Sequence, residues 1–307
     1  MNNLPKLICL GSAAWDYIAC TDLKMEKEFD VPGLIIKQPG GVATNIAIGL
    51  SNAMKHKHIF EIILLAAIGL DIESKQLMKN LQSLSINCDY LTKQDGPSDR
   101  YIVIESKGEM FGAVADTSQL SRAAEKILLP LVNGEIIDLD NPCEHYVILD
   151  GNLSQITLDS VFTHQAFQKQ NIIVTSASPT KARTLRKYIK SKPHSCYLNL
   201  KEAEAIADKK FSDSREAAEY IFTLGANRVV ITNGNKSVSS LSNKGFASLK
   251  PETLRGVTST GAGDIFSATH IISTLVNPEL DPVKHLEKAE LETRTKIRST
   301  MKMETKV

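Results

Sequence analysis

The stretch that decides how this chain folds is Thr258-Ser259-Thr260-Gly261-Ala262-Gly263-Asp264-Ile265-Phe266. Small and hydroxyl residues with two glycines favour a tight loop in its first half. Apolar residues recur at helical spacing from Ile265 to Leu275, so the second half predicts a helix with one apolar face. The stretch therefore predicts a glycine loop that runs directly into the start of a helix.

A glycine loop at a helix start can hold an anion. Several backbone N–H groups point at one spot there, and the helix dipole adds positive potential. Asp264 falls on the first turn beside that spot. Backbone amides that hold a moving phosphate, next to a carboxylate that takes a proton from the attacking hydroxyl, suit phosphoryl transfer. The alternative is an ordinary helix start with an acidic residue in its first turn.

Apolar and amphipathic segments alternate along most of the chain. The run from Ile62 to Ile68 is apolar without a break, as expected of a central parallel strand buried on both faces. Residues 73–83 predict the helix after it, and further strand–helix pairs are predicted from Tyr146 onward. The alternation predicts an α/β fold with a doubly wound, mainly parallel sheet flanked by helices. Ligand loops in such folds lie at the carboxyl ends of the strands.

One segment breaks this alternation. Residues 100–105 and 109–115 favour strands and flank Ser106-Lys107-Gly108, which predicts a β-hairpin. We interpret the hairpin as part of a small β lid, inserted within about residues 86–116 of a single domain that spans residues 1–292. Residues 293–307 are charged and lack an apolar stripe, so a final helix is expected to fray there into a mobile tail.

Composition excludes several classes of protein. The chain has 307 residues and a formal net charge of +1, which gives no reason to expect nucleic acid or an acidic membrane as a partner. The apolar stretch from Leu7 to Cys20 faintly resembles a secretion signal, but Asp16 interrupts it, and we interpret its beginning as the first buried strand. The five cysteines are widely spaced, which argues against a zinc site or a disulfide framework. We expect a cytoplasmic protein with reduced thiols.

Polar residues and glycines follow several predicted strands. Asp16 suits a substrate contact or a turn, and Gly40-Gly41 suits a close ligand approach or a plain turn. Asn199 ends a predicted strand and Glu202 lies three residues later, so both can face one spot. These oxygen ligands suit a hydrated magnesium ion. The same spacing suits a capping box, in which Asn199 caps the helix and Glu202 is its partner.

Two motifs together resemble the ribokinase-like, or PfkB, family of sugar and nucleoside kinases. They are Gly40-Gly41-x-x-x-Asn45 early in the chain and Thr260-Gly261-Ala262-Gly263-Asp264 late, and the resemblance extends to about Leu275. The resemblance implies a ribokinase-like fold, the use of ATP and Mg²⁺, a small-molecule nucleoside or sugar as substrate, and a homodimer formed through the lid.

The resemblance also implies a role for each matching residue. Asp264 would be the catalytic base, and its anion hole would consist of Gly261, Ala262 and Gly263. The groups that bind the sugar hydroxyls would be Asp16, Gly41 and Asn45. Glu202 would organise magnesium through water together with Asn199. The residues beside the nucleotide would be Asn199, Thr232, Gly234 and Thr260.

Within this family, three local stretches are similar to pseudouridine kinases: Gly41 to Ala47, Gly108-Glu109-Met110 leading to Ala115-Asp116, and Asp150 to Ser154. This similarity implies that Asn152 lies near the nucleoside.

The chain also departs from the family. Thr258 stands where Asp or Asn often helps to build a monovalent-cation site, which leaves potassium activation open. Ser237 replaces a usual glycine. The charged C-terminal segment differs from the small-residue helix that normally walls the adenine pocket, which leaves open whether that pocket still forms.

The sequence therefore predicts an ATP-dependent kinase that phosphorylates the 5′-hydroxyl of a nucleoside, converting pseudouridine to pseudouridine 5′-phosphate. One alternative is another kinase of the family that acts on ribose or adenosine. The other is a non-catalytic sugar- or nucleoside-binding relative with a degenerate ATP site. A dinucleotide-binding oxidoreductase would need G-x-G-x-x-G after the first strand and a P-loop enzyme would need G-x-x-x-x-G-K-[ST]; the sequence has neither.

Overall fold

The computed structural model describes residues 4–54, 59–138, 145–254 and 261–304, the last segment with side chains as far as residue 298. Its strands β1 to β14 are Lys6–Gly11, Ala14–Thr21, Leu34–Gly40, Glu61–Gly69, Ile86–Asn87, Thr92–Gln94, Asp99–Ser106, Glu109–Asp116, Tyr146–Leu149, Asn171–Thr175, Ser195–Asn199, Arg228–Thr232, Val238–Ser242 and Gly245–Leu249. Its α-helices α1 to α10 are Val42–Met54, Ile72–Ser83, Ser118–Ala123, Leu129–Val132, Gln155–Thr163, Pro179–Ile189, Leu200–Ala207, Ser214–Thr223, Ala262–Val276 and Pro282–Glu304.

A large sheet of ten strands forms the centre of the molecule. Its strand order is β14-β13-β12-β11-β10-β9-β1-β4-β5, and the short β6 also pairs with β4. The strands from β12 to β5 in this order pair in parallel, whereas β13 and β14 form an antiparallel hairpin at the other edge. The predicted doubly wound, mainly parallel sheet is thus confirmed.

Both faces of this sheet are buried, which explains the unbroken apolar runs. Along β1, Ile8 and Leu10 belong to one hydrophobic core, while Leu7 and Cys9 belong to a second core on the opposite face. The strand predicted from Ile62 to Ile68 is observed as β4, and every residue of that run is buried. Alternate residues of a strand point to opposite faces, so a strand between two layers must be apolar throughout.

A second sheet of four strands, in the order β3-β2-β7-β8, forms the lid. The predicted hairpin is present as β7 and β8, but the lid does not coincide with residues 86–116. Its other two strands come from residues 14–40, and β5 and β6 pair with the large sheet instead. Only Ser12 and Ala13 separate β1 from β2, so the two strands look like one apolar stretch in the sequence.

The C-terminal segment is helical, as the expected final helix requires. Helix α10 continues without a break through the boundary expected at residue 293 and ends at Glu304. Arg294 and Arg298 both form ion pairs with Glu252, which precedes the glycine loop. No helix among the described residues combines the length and apolar character that a membrane crossing requires. Cys9, Cys88 and Cys196 are free and buried; Cys143 lies outside the described residues.

Candidate active site

The carboxyl ends of the parallel strands bring most of the predicted residues to one edge of the large sheet. The ends of β1, β9, β11 and β12 lie there because these strands pair in parallel with β4 and β10. Helices α1 and α9 begin close to this edge, since their first turns contact each other through Asn45 and Asp264. We call the space between these strand ends and the lid the cleft.

Helix α9 begins in the manner expected of an anion site. Gly261 caps it with a φ of +78°, and the Gly261 carbonyl accepts hydrogen bonds from the N–H groups of Asp264 and Ile265, both at 3.1 Å. Within the described residues, nothing accepts from the N–H groups of Gly261, Ala262 or Gly263. A Cβ at Gly263 would meet no atom within 4 Å, so the space above it is open. Amides at a helix start that no described group accepts from can hold an anion.

Thr258 and Thr260, which the sequence analysis assigned to a cation site and to the nucleotide, lie outside the described residues. The structure therefore describes this site from Gly261 onward on α9, and on the strands and helices that surround the cleft.

Asp264 lies in the first turn of α9 and faces the cleft. Its Oδ2 accepts a hydrogen bond from Asn45 Nδ2 at 3.0 Å, so Asn45 orients the carboxylate. Burial raises the pKa of Asp264 to about 8; the Asn45 hydrogen bond opposes this effect, and the charges of Asp150, Asp16 and Glu202 add to it. A carboxyl group with such a pKa can exchange a proton near neutral pH, as a general base must.

Asp16 lies on the lid strand β2. Its side chain is only 3% exposed, and no described residue donates a hydrogen bond to it. Burial alone raises its pKa to about 7. Gly40 lies directly against it, because a Cβ at residue 40 would overlap the Asp16 carboxylate. A buried carboxylate that receives no hydrogen bond from the described residues can accept hydrogen bonds from a ligand.

Asp150 is a carboxylate that the sequence analysis missed, and it is fully hydrogen-bonded. It follows β9, is 1% exposed, and accepts from the N–H groups of Ser12 at 2.8 Å, Ala43 at 3.3 Å and Asn152 at 2.7 Å, as well as from the Ser12 hydroxyl. Gly41 lies in the same network with a φ of +91°, and a Cβ there would lie 2.6 Å from the Ser12 carbonyl oxygen. Asp150 therefore ties three loops of the cleft together.

Lys181 is a second residue that the sequence analysis missed. Its Nζ donates to Asn152 Oδ1 at 2.5 Å, and Asn152 Nδ2 donates to the Ser12 hydroxyl at 3.4 Å. Lys181 lies in the first turn of α6, where the helix dipole disfavours a positive charge. This unfavourable position of a lysine, which is visible in the sequence, could have indicated that the charge of Lys181 has a role outside the helix.

Asn199 and Glu202 form a capping box at the start of α7. Asn199 N donates to Glu202 Oε2 at 2.8 Å, and Glu202 N donates to Asn199 Oδ1 at 3.0 Å. The capping alternative is therefore present. Burial raises the pKa of Glu202 to about 7, and its charge helps to raise the pKa of Asp264, so the two carboxylates lie near each other.

The described residues contain no group of three or more His, Cys, Asp or Glu side chains placed to hold a metal ion. A single carboxylate beside an amide oxygen fits a magnesium ion that keeps most of its water ligands. The donor set present thus fits magnesium bound through water.

The segment after β12 borders open space. Strand β12 ends at Thr232, and Gly234 has a φ of +56° with no atom within 4 Å of an added Cβ. Ser237, which stands where the family usually has glycine, bonds the Ser214 hydroxyl at 2.8 Å. The serine is therefore held by α8, and Gly234 borders open space.

Comparisons with known proteins agree with this fold. Solved structures with the same fold include an adenosine kinase from Schistosoma mansoni in complex with 2-fluoroadenosine (TM-score 0.76, 15% identity, 96% of each chain covered). A ribokinase from Arabidopsis thaliana complexed with ribose and ATP has a TM-score of 0.72 at 16% identity, covering 94% of this chain and 91% of that one. A carbohydrate kinase from Agrobacterium tumefaciens has a TM-score of 0.71 at 20% identity, covering 94% and 90%.

No curated protein sequence matches the chain significantly. The family model for pfkB family carbohydrate kinases matches residues 4–289, nearly the whole chain. Members of that family are phosphotransferases with an alcohol group as acceptor. The fold, the glycine loop with its aspartate and the extent of this match together establish that the chain belongs to the pfkB family of carbohydrate kinases.

Proposed function

We propose that this protein is an ATP-dependent kinase that phosphorylates the 5′-hydroxyl of a nucleoside, with pseudouridine as its substrate. The observation that carries the kinase reaction is the position of Asp264. Its carboxylate faces the cleft in the first turn of α9, beside three amides that no described group accepts from. This arrangement supplies an anion site and a proton acceptor at one place, which is what phosphoryl transfer to a hydroxyl needs.

In the proposed reaction, the substrate's 5′-oxygen attacks the γ-phosphorus of ATP. The bond from this oxygen to phosphorus forms, the bond from phosphorus to the bridging oxygen of ADP breaks, and the hydroxyl proton passes to an Oδ atom of Asp264. The N–H groups of Gly261, Ala262 and Gly263 hold the transferred group as its negative charge shifts. Asn45 holds the Asp264 carboxylate in place through its hydrogen bond.

Glu202 would hold Mg²⁺ through water, with Asn199 beside it. When bound, the ion would offset negative charge on the phosphates of ATP. Glu202 can do this while it caps α7, because the capping bond from Asn199 N is made to only one of its oxygens.

Three side chains of the cleft support a nucleoside acceptor. Asp16 is a buried carboxylate ready to accept hydrogen bonds from sugar hydroxyls. Lys181 and Asn152 form a polar pair that belongs to the Asp150 network, and no carboxylate among the described residues pairs with this lysine. A cationic donor favours an acceptor that carries carbonyl oxygens, as the uracil ring does and the adenine ring does not. The choice of pseudouridine rests on the three local sequence stretches given above.

The kinase assay that tests this proposal measures ADP release with pseudouridine, uridine, adenosine and ribose as acceptors. We expect pseudouridine to give the highest kcat/KM. A site that hydrogen-bonds a polar edge rejects analogues without that edge by roughly ten-thousand-fold, so uridine, which differs in the edge that carries a free N–H, should be much poorer. A Lys181→Met variant should raise the KM for pseudouridine and leave the KM for ATP unchanged.

Two outcomes would overturn parts of the proposal. Equal or faster turnover of ribose or adenosine would remove pseudouridine as the substrate and leave the kinase standing. No ADP release with any acceptor, together with calorimetric binding of a nucleoside, would instead identify a non-catalytic binding protein.

We also propose a homodimer formed through the lid. Ile102 and Val114 pair across β7 and β8, and Ile35 on β3 lies on the same face; all three are exposed. An exposed apolar face on a small sheet suits burial against a second copy. Light scattering should give a dimer for the parent and a monomer for Val114→Lys. A monomeric parent, or a dimer that survives this change, would contradict the proposal.

A further inference from the structure

A cluster of hydrogen bonds joins the lid to the first turn of α2. The carboxylate of Glu73, in that turn, accepts from the Tyr17 hydroxyl at 2.7 Å, from Lys37 Nζ at 2.7 Å, and from Arg100 Nε at 3.1 Å and Nη2 at 2.8 Å. The Glu73 carbonyl accepts from Trp15 Nε1 at 3.0 Å. The four donor residues belong to β2, β3 and β7, so one residue of α2 bonds three of the four lid strands. We call these five residues the lid anchor.

The strand register places the four donors on one face of the small sheet. Tyr17 pairs with Lys37 across β2 and β3, and Trp15 pairs with Arg100 across β2 and β7. Residues paired across neighbouring strands lie on the same face, and Trp15 and Tyr17 share a face because they are two residues apart. All four side chains therefore point toward α2.

Asp16 lies between the two β2 residues that bond Glu73. Successive residues of a strand point to opposite faces, so Asp16 points away from the lid anchor. Its charge helps to raise the pKa of Asp264, which puts these two carboxylates near each other. The hydrogen bonds from Trp15 and Tyr17 to Glu73 thus fix the segment of β2 that carries Asp16.

The lid anchor differs from an isolated surface ion pair, which contributes little. The Glu73 side chain is only 22% exposed, and its two oxygens accept four hydrogen bonds, two of them from Arg100. The hydrogen bond from Lys37, followed by those from Tyr17 and Arg100, lowers the pKa of Glu73 to about 2 against the opposing effect of burial. The Lys37 ammonium also lies over the Trp15 ring, 4.3 Å from its centroid. The carboxylate is therefore ionised at neutral pH and bonded on several sides.

Asp71, two residues before Glu73, provides a second link between α2 and the lid. It caps α2 by accepting from Ser74 N at 2.8 Å, and it also accepts from Ser98 N at 2.8 Å and from Ser98 Oγ at 2.7 Å. Ser98 directly precedes β7. Removal of the Glu73 side chain leaves this second link in place, so we expect such a variant to fold with the lid still attached.

We propose that Glu73 is a positioning residue for the acceptor substrate and that it acts through β2 and Asp16. By bonding both neighbours of Asp16, Glu73 fixes the lid against α2 and thereby fixes where the Asp16 carboxylate meets the acceptor. The inference rests on the proposed function, in which Asp16 accepts hydrogen bonds from the acceptor. A displacement of about 1 Å at such a contact can cost roughly a hundredfold in rate. Loss of the lid anchor should therefore appear in the kinetics of the acceptor.

A double-mutant cycle tests this role. Glu73→Ala should raise the KM for the acceptor by roughly tenfold and leave the KM for ATP unchanged; alanine favours helices, so α2 should persist. In the Asp16→Asn background the same change should have little further effect, because two residues that act through one contact are not additive. Glu216→Ala, which removes a first-turn carboxylate of α8 that bonds Ser212, is the matched control and should leave both KM values unchanged.

The fluorescence of Trp15 gives a readout that does not depend on activity, because Trp15 is the only tryptophan of the chain. Its side chain is 4% exposed. In Glu73→Ala we expect emission at longer wavelength and stronger quenching by acrylamide than in the parent. Glu73→Gln, which keeps one acceptor oxygen, should give a smaller change in the same direction. Unchanged fluorescence in both variants would show that the lid stays in place without the anchor, and would overturn the inference.

The kinetic outcomes separate this inference from the proposed function. A normal acceptor KM in Glu73→Ala, together with a raised one in Asp16→Asn, would overturn the positioning role and leave the proposed function standing. Effects that multiply in the double variant would make Glu73 independent of Asp16 and would also overturn it. A normal acceptor KM in Asp16→Asn would remove the role proposed for Asp16, and this inference with it. If the protein binds a nucleoside without phosphorylating it, calorimetric Kd values replace KM in the same cycle.

Discussion

The two sides of the cleft each contain a buried carboxylate, and the two carboxylates differ in how many hydrogen bonds they accept. On the side formed by β1, β9 and α1, Asp150 accepts hydrogen bonds from Ser12, Ala43 and Asn152. On the side formed by the lid strand β2, Asp16 is almost as deeply buried and accepts none from the described residues. Burial of a carboxylate is costly unless hydrogen bonds compensate for the lost water. The comparison predicts that Asp150 stabilises the fold and that Asp16 contacts a ligand.

Asp264 lies between these extremes, with the single hydrogen bond from Asn45. Its raised pKa reflects burial together with the charges of Asp150, Asp16 and Glu202. Among the described residues, one carboxylate thus accepts several hydrogen bonds, whereas the two with proposed roles in binding and catalysis accept none or one. Substitutions that leave the shape of each carboxyl group intact can separate these roles.

The largest effect is expected for Asp264→Asn. The amide keeps the hydrogen-bonding shape and cannot take up a proton, so kcat should fall by about a hundred- to ten-thousand-fold while nucleotide binding is retained. Single-turnover kinetics and nucleotide titration measure the two quantities. Glu216→Gln, which changes a first-turn carboxylate on α8 that bonds Ser212, is the matched control and should leave kcat unchanged. A few-fold loss in Asp264→Asn would make Asp264 a simple helix-start residue.

The next effect concerns pH. Because the pKa of Asp264 is raised to about 8, kcat/KM should rise about tenfold per pH unit below that value and level off above it. The same shift acts on stability, since the folded state holds a proton that the unfolded chain has released. The contribution of this bound proton to the free energy of unfolding is fully present below the pKa of the unfolded state, near 4. It is lost as the pH rises through the pKa of the folded state, about 8.

Urea unfolding at pH 6 and pH 9 measures this loss of stability. The loss should be smaller in Asp264→Asn than in the parent, because the amide does not titrate. Identical pH dependence in the two proteins would show that Asp264 titrates normally.

The sequence predicts those features of the fold that depend on local patterns. The run from Ile62 to Ile68 and the helix after Gly263 were identified because period and composition are properties of neighbouring residues. The lid was only half predicted. Strand β2 pairs in parallel with β7, and Ala14 finds its partner Asp99 far along the chain, which no local pattern encodes.

The candidate site likewise contains residues that a local pattern predicts and residues whose contacts are distant in sequence. Asp264 is predicted as a site residue because its loop, helix and carboxylate are contiguous in sequence, and that role stays a prediction. Asp150 was missed because its role comes from Ser12, which is 138 residues away, and from Ala43, which is 107 residues away. Asn199 and Glu202 illustrate a third case, in which one spacing suits two roles, and only coordinates show that the capping hydrogen bonds are made.

Asp16→Asn tests whether Asp16 contacts the acceptor substrate. Hydrogen bonds to a charged group contribute about 1.5–3 kcal/mol, so the KM for the acceptor should rise by roughly 10- to 150-fold while the KM for ATP stays the same. The unliganded protein should become no less stable at pH 8, because the change removes a buried charge that has no partner. A marked loss of stability with a normal KM would assign Asp16 to the fold.

Asp150→Asn should behave in the opposite way. The amide keeps one acceptor oxygen and turns its NH₂ group toward backbone N–H groups that need an acceptor. Leaving buried donors unsatisfied costs about 1–3 kcal/mol, so the Tm should fall by several degrees. Calorimetry of the two variants side by side measures the contrast. Equal stability of Asp16→Asn and Asp150→Asn would contradict the conclusion that Asp150 stabilises the fold and Asp16 does not.

The smallest effect is expected for Glu202→Gln, which tests the two roles that one spacing allows. The glutamine oxygen can still accept from Asn199 N, so the capping box should survive and the Tm should change by about 1 °C or less. The charge is lost, so the magnesium concentration that gives half-maximal rate should rise several-fold. Because the pKa of Glu202 is raised to about 7, the titration is best done at pH 8, where the parent carboxylate is ionised. Glu204→Gln, on the same helix and paired with Lys210, is the matched control and should keep the parent's magnesium dependence. A destabilised Glu202→Gln protein with normal magnesium dependence would mean that Glu202 only caps α7, and that the cleft holds its metal elsewhere.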